Sequence, residues 1–150
     1  MLIPALAALL LLATPVRAVP VPGERLVDAL ERNGITVQLN TGRCRKPGVL
    51  GSYNRVRRLI TLCLARMRSP RQLYQVLAHE AVHAAQHCAG VSTILSAQEI
   101  APSVTDADLD SFHLYEPHER SAELEANVLS RAAMAPGGED RLIQLIDTAC

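Results

Sequence analysis

The sequence predicts an α+β domain on three observations. Short runs that alternate apolar with polar residues are confined to residues 35–65, a long capped helical pattern follows from Pro70 to Gly90, and after Pro117 the apolar residues recur at helical period only. The expected order is one short helix, a small antiparallel or mixed sheet of about three strands, a long central helix and a helical C-terminal part.

Each element has a local reason. "ERLVDALERNG" places Leu26, Val27 and Leu30 at helical spacing, with Gly34 as a stop. "ITVQLN" alternates Ile35, Val37 and Leu39 with polar residues, the pattern of a half-buried strand. "VLGSYN" and "RRLITLCLA" are two further β-type runs separated by Asn54, Arg55 and Val56, which predicts a hairpin. Ser69-Pro70-Arg71-Gln72 offers an N-cap, a proline at the first helical position and a capping-box glutamine. The helix it opens should run to Gly90. From Val91 to Glu116 the periodicity is weak: "STILSAQEI" suggests a helical turn or two, and "PSVTDADLDSFHLYE" reads mostly as loop. Pro117 opens a helix through "PHERSAELEANVLSRAAMA", and Pro136-Gly137-Gly138 separates it from a last helix, "EDRLIQLIDTAC".

Composition narrows the function classes. The 150 residues carry 15 Lys+Arg against 15 Asp+Glu, and only three tyrosines and one phenylalanine could stack on bases, so a nucleic-acid partner is not expected. Residues 1–18, "MLIPALAALLLLATPVRA", form an apolar run ending in Val16-Arg17-Ala18, which resembles a signal-peptidase site. The run is shorter than the ~20 residues a spanning helix needs. This predicts a signal peptide at 1–18 and a single mature domain at 19–150, exported to the periplasm or the extracellular space, with no specific membrane binding after cleavage. The leader "VPVPG" then precedes the first helix.

An even number of cysteines behind an export signal predicts disulfides. Cys44 precedes the first hairpin strand and Cys63 closes the second, while Cys88 and Cys150 stand at the ends of the central and final helices. Antiparallel pairing and helix packing therefore predict Cys44 with Cys63 and Cys88 with Cys150.

The central helix carries "QVLAHEAVHAAQHCAG". His79 and His83 lie one turn apart on one helix face, so both imidazoles can reach one cation, and Glu80 sits ~100° round from His79, beside the ligands rather than among them. H-E-x-x-H is the signature of zincin metallopeptidases. A catalytic zinc needs a third protein ligand. His87 continues the series but lies about 12 Å along the axis from His79, which makes it a rim residue. In "ERSAELEANVLSRAA" Glu123 and Asn127 stand at i and i+4, with Glu119 one turn earlier on the same face and Glu125 pointing ~200° away. Glu119, Arg120, Glu125 and Arg131 otherwise read as an exposed charged face.

Together the two stretches resemble the gluzincin branch of the zincins, in which a downstream helix supplies a glutamate ligand and, four residues later, an aspartate that holds a histidine ligand from behind. The resemblance implies Glu123 as third ligand beside His79 and His83, Ala126 as the small packing residue, and Asn127 in the aspartate's place, where a neutral amide orients a histidine but raises its basicity less than a carboxylate would. It implies one Zn2+ per chain and hydrolysis of peptide bonds in a peptide or protein substrate. Glu80 is then the general base that takes a proton from metal-activated water and passes it to the leaving amine. Tyr115, His113 and His118, in the loop before the Glu123 helix, are candidate oxyanion donors. The resemblance further implies a sheet whose edge strand lines the cleft and pairs with extended substrate. "HEAVHAAQHC" in a small four-cysteine exported chain is also similar to uncharacterised bacterial zincin-like proteins. The rival expectation is a non-catalytic exported metal-binding or scaffold protein on a degenerate zincin fold.

Overall fold

The computed structural model describes residues 23–150. The expected signal segment at 1–18 and most of the leader lie outside the described residues. Within them the chain forms six helices and one three-stranded mixed sheet. No helix among the described residues is long and apolar enough to cross a membrane.

Helix α1 (Glu24–Arg32) buries Leu26, Ala29 and Leu30. Strands β1 (Thr36–Leu39), β2 (Gly51–Asn54) and β3 (Leu59–Leu62) follow in the order β1-β3-β2. β3 is central and buried throughout, antiparallel to β2 as the hairpin requires and parallel to β1. The alternation read in β1 holds for Ile35, which is buried, and fails at Leu39, which is 53% exposed at the far end of an edge strand.

Helix α2 (Pro70–Ala89) is the spine of the fold. Ser69 caps it by accepting from the Gln72 backbone N–H, Pro70 occupies its first turn, and Gly90 ends it in the left-handed region at φ 69°. Its buried face consists of Leu77, Ala78, Ala81, Val82, Ala84 and Ala85. Alanines on this face let neighbouring helices approach closely, and α5 (Arg120–Ala132) packs there through Ala126, itself fully buried. Helix α6 (Gly138–Ala149) packs on the same spine through Leu142 and Ile146. Exposed ion pairs from Arg25 to Glu139 and Asp140, and from Arg32 to Asp147, tie α6 to α1, each worth little on its own.

Both expected disulfides are present, Cys44–Cys63 and Cys88–Cys150. They are consistent with an oxidising compartment.

Three expectations are corrected. The segment read mostly as loop contains α4 (Asp106–Phe112), preceded by the short α3 (Ala97–Ile100). A full capping box opens α4: Thr105 Oγ1 accepts from the Asp108 N–H, and the Asp108 carboxylate accepts from the Thr105 N–H. The helix escaped the periodicity reading because it has almost no apolar face, Leu109 being 52% exposed. Polar contact docks it instead, through a bidentate bond from Arg131 to Asp108 at 2.9 and 2.7 Å. Second, the helix expected from Pro117 starts at Arg120. Residues 116–119 form a turn closed by Glu119 N–H to Glu116 O at 2.8 Å, and proline suits a turn as well as a helix start. Third, Glu125 and Arg131 do not belong to an exposed charged face: Glu125 is 0% exposed and Arg131 is committed to Asp108.

The Asp108 pair carries a pH signature. Hydrogen bonds from Arg131 and Thr105 outweigh burial and hold the Asp108 carboxyl down to about 2, from 3.8. A depressed acid contributes stability that is present above its unfolded value and is lost as pH falls toward the folded one. Asp108→Asn should therefore cost about 2 kcal/mol at neutral pH and flatten the stability decline between pH ~4 and ~2, as read by urea unfolding across that range. An unchanged acid limb in the variant would refute the assignment.

Candidate metal centre

His79 and His83 project from the face of α2 that looks across at α5, because an i, i+4 pair on a helix shares one side. Glu123 stands in the first turn of α5 and faces them. His79 Nε2 lies 3.1 Å from Glu123 Oε2, His83 Nε2 3.3 Å from Glu123 Oε1, and the two Nε2 atoms 3.1 Å from each other. Nitrogen and oxygen ligands ~2.0–2.1 Å from a tetrahedral zinc stand roughly 3.3 Å apart, so the donor set fits that ion in spacing and in chemistry. Three atoms that offer lone pairs to one point repel one another unless a proton or a metal ion lies between them. This triad is a group of metal-ligating side chains within reach of one ion among the described residues.

The electrostatics agree with a cation site. Burial raises the Glu123 carboxyl, but hydrogen bonds with the two histidines and their charge prevail and lower it to about 2. Burial depresses His83, and the Glu123 carboxylate more than reverses this. Without a metal, Glu123 is thereby held ionised and His83 is biased toward a hydrogen on the nitrogen that faces it, the position a bound cation would take instead.

Glu80 occupies the remaining side. It is 8% exposed, wedged between α2 and the β2 edge, and burial pushes its carboxyl up while His79, His83 and the Tyr53 backbone N–H oppose the rise. Gly51 makes room for it. A Cβ at position 51 would stand 2.5 Å from Val76 Cγ1 and 3.1 Å from Glu80 Oε1, so any side chain there would push the helix off the strand.

These groups open onto a cleft of about 1240 Å3, floored by α2 and walled by β2 on one side and α5 on the other. β2 is an edge strand. Cys63 N–H bonds to Leu50 O, so by antiparallel alternation the backbone groups of Gly51 and Tyr53 point away from β3, toward the cleft.

The other sequence candidates fall into place around the triad. His87 is exposed at the cleft rim, its Nδ1 2.9 Å from the Tyr53 hydroxyl. Glu119 lines the cleft but is half exposed and outside the ligand triad. Tyr115 lines the cleft, and burial followed by the Glu123 charge raises its phenol, which keeps it a proton donor. His118 is 79% exposed beside Glu119, and His113 stands outside the cleft lining, against Phe112. Asn127 lies within reach of the Tyr115 phenol rather than behind a histidine. The group behind His83 is Gln86, whose Oε1 is 2.9 Å from His83 Nδ1. Sequence reasoning passed over Gln86, although its i+3 spacing from His83 was the available signal.

Compared with protein families, curated proteins and solved structures, the chain matches none. Function must therefore be argued from the site itself.

Proposed function

We propose that the protein is a zinc-dependent peptidase of zincin-like, gluzincin-type architecture, with His79, His83 and Glu123 as ligands. The observation that carries this reading is the convergence of the three donor atoms at 3.1–3.3 Å with a buried Glu80 beside them, in a cleft bordered by strand β2, an edge of the sheet among the described residues. Zinc bound there would acidify a water and polarise a scissile carbonyl. Glu80 takes the proton of the attacking water and delivers it to the leaving amine, a task for which a carboxyl raised by burial is better suited than an ordinary one. The Gly51 backbone and the Tyr53 carbonyl pair with an extended substrate, the Tyr53 N–H being held by Glu80, and the Tyr115 phenol donates to the developing oxyanion. Two disulfides support an exported site of action.

Metal analysis tests the ligand set. The purified protein should hold about one zinc per chain at a catalytic-type three-ligand site. Glu123→Ala should weaken binding by at least about 100-fold, whereas Glu119→Ala should leave it within about 2-fold. The reverse pattern would move the third ligand to Glu119. Stoichiometric zinc without cleavage of any unfolded protein substrate would leave a metal-binding scaffold in place of an enzyme.

A further inference from the structure

We infer that Gln86 and Glu125 form a positioning relay that fixes His83 with its Nε2 lone pair toward the metal centre, so that a buried carboxylate acts on this ligand at one remove. Glu125 is 0% exposed and Gln86 4%. The Glu125 carboxylate accepts from the backbone N–H of Ile94, at 2.9 and 3.0 Å to its two oxygens, and from that of Leu95 at 2.7 Å. Backbone donors cannot turn away, so Glu125 is held as an acceptor.

Gln86 Nε2 then faces two groups that only accept, Glu125 Oε2 at 2.8 Å and Ala122 O at 3.1 Å. This fixes the orientation of the amide: nitrogen toward α5, Oε1 toward His83 Nδ1 at 2.9 Å. A carbonyl oxygen cannot donate, so Nδ1 must carry the hydrogen. In the neutral ring the lone pair then falls on Nε2, the atom 3.1 Å from His79 Nε2 and 3.3 Å from Glu123 Oε1. Carboxylates commonly orient histidine ligands directly. Here Asn127 brings no charge and lies by Tyr115, and the carboxylate comes from Glu125, through the Gln86 amide. The same carboxylate pins the 94–95 backbone, so the loop after α2 and the ligand geometry share one anchor.

The effect on metal affinity rests on the zinc reading, whereas the hydrogen on Nδ1 follows from the Gln86 orientation, and the test separates them. Nitrogen NMR of the full-length, chelator-treated protein should find a hydrogen on His83 Nδ1, bonded to the Gln86 amide oxygen, whatever the state of Nε2. In Glu125→Gln the new NH2 meets the Gln86 NH2, and relief requires Gln86 to flip. His83 should then switch to Nε2–H, while His79 is unchanged. Gln86→Met should lose the tautomer preference, and both variants should bind zinc about 10–100-fold more weakly. A wild-type His83 with no hydrogen on Nδ1 overturns the relay even if no variant folds, as does retention of Nδ1–H in both variants. A wild-type Nδ1–H His83 in a protein that binds no zinc would uphold the relay and sink the metal reading.

Discussion

Glu80→Gln should keep one zinc per chain and lower peptide hydrolysis by about 10²–10⁴-fold, the range associated with a positioned general base. The amide retains the shape of the carboxyl and can accept from the Tyr53 N–H, but it cannot take a proton from water. Glu80 is buried beside Val76, Gly51, His79 and His83, and burial is the dominant influence on it, raising its carboxyl above 4.5. A raised acid contributes most to stability below its unfolded value and loses that contribution as pH rises through the folded one. The metal-free variant should consequently be at least as heat-stable as the metal-free wild type at neutral pH, which separates lost chemistry from lost fold. Steady-state kinetics with metal analysis and calorimetry on the same samples decide the matter. Hydrolysis at the wild-type rate by the zinc-loaded variant would remove Glu80 from the mechanism.

Replacing Cys88 and Cys150 together by alanine should cost about 4 kcal/mol, the chain-entropy value for a bridge of this span. The residues are separated by 62 positions, and their bond fastens the end of α6 to the end of the helix that holds the histidines. A loss of that size corresponds to roughly 10–20 °C in Tm for a domain of this length. Cys88 Sγ also accepts from Arg58 Nη2 at 3.2 Å, and that guanidinium bonds the Asn33 carbonyl as well, so the lesion should spread toward the hairpin and the end of α1. The Cys44–Cys63 bond closes a span of 19 and should contribute about 3 kcal/mol. Urea unfolding of the two double variants checks both figures. A cost below about 1 kcal/mol for the Cys88 and Cys150 pair would mean that packing of α6 on α2 holds that end of the molecule without the bond.

Much of the architecture was legible because it is local. Ser69-Pro70 and Gly90 bound α2 through capping and backbone preference, and the hairpin follows from two β-type runs with a short connection. The parallel partnership of β1 with β3 has no such signal, since it joins segments across the intervening strand β2. Helix α4 was missed for a related reason. Its cap is written in the sequence as Thr105 and Asp108, but what holds it to the protein is Arg131 on another helix.

The sequence by itself determined that His79 and His83 share a helix face with Glu80 beside them, and which cysteines lie at element ends. Both are consequences of helical pitch and strand order, which act over a few residues. Only the tertiary structure decided that Glu123 rather than Glu119 meets the histidines, that Glu125 is buried instead of exposed, and that Gln86 rather than Asn127 stands behind His83. Glutamates two positions apart on a helix differ only in direction. What each direction meets is set by how closely α5 settles on the alanine face of α2 and by the 91–96 loop that closes over it, where backbone N–H groups without helical partners find the Glu125 carboxylate.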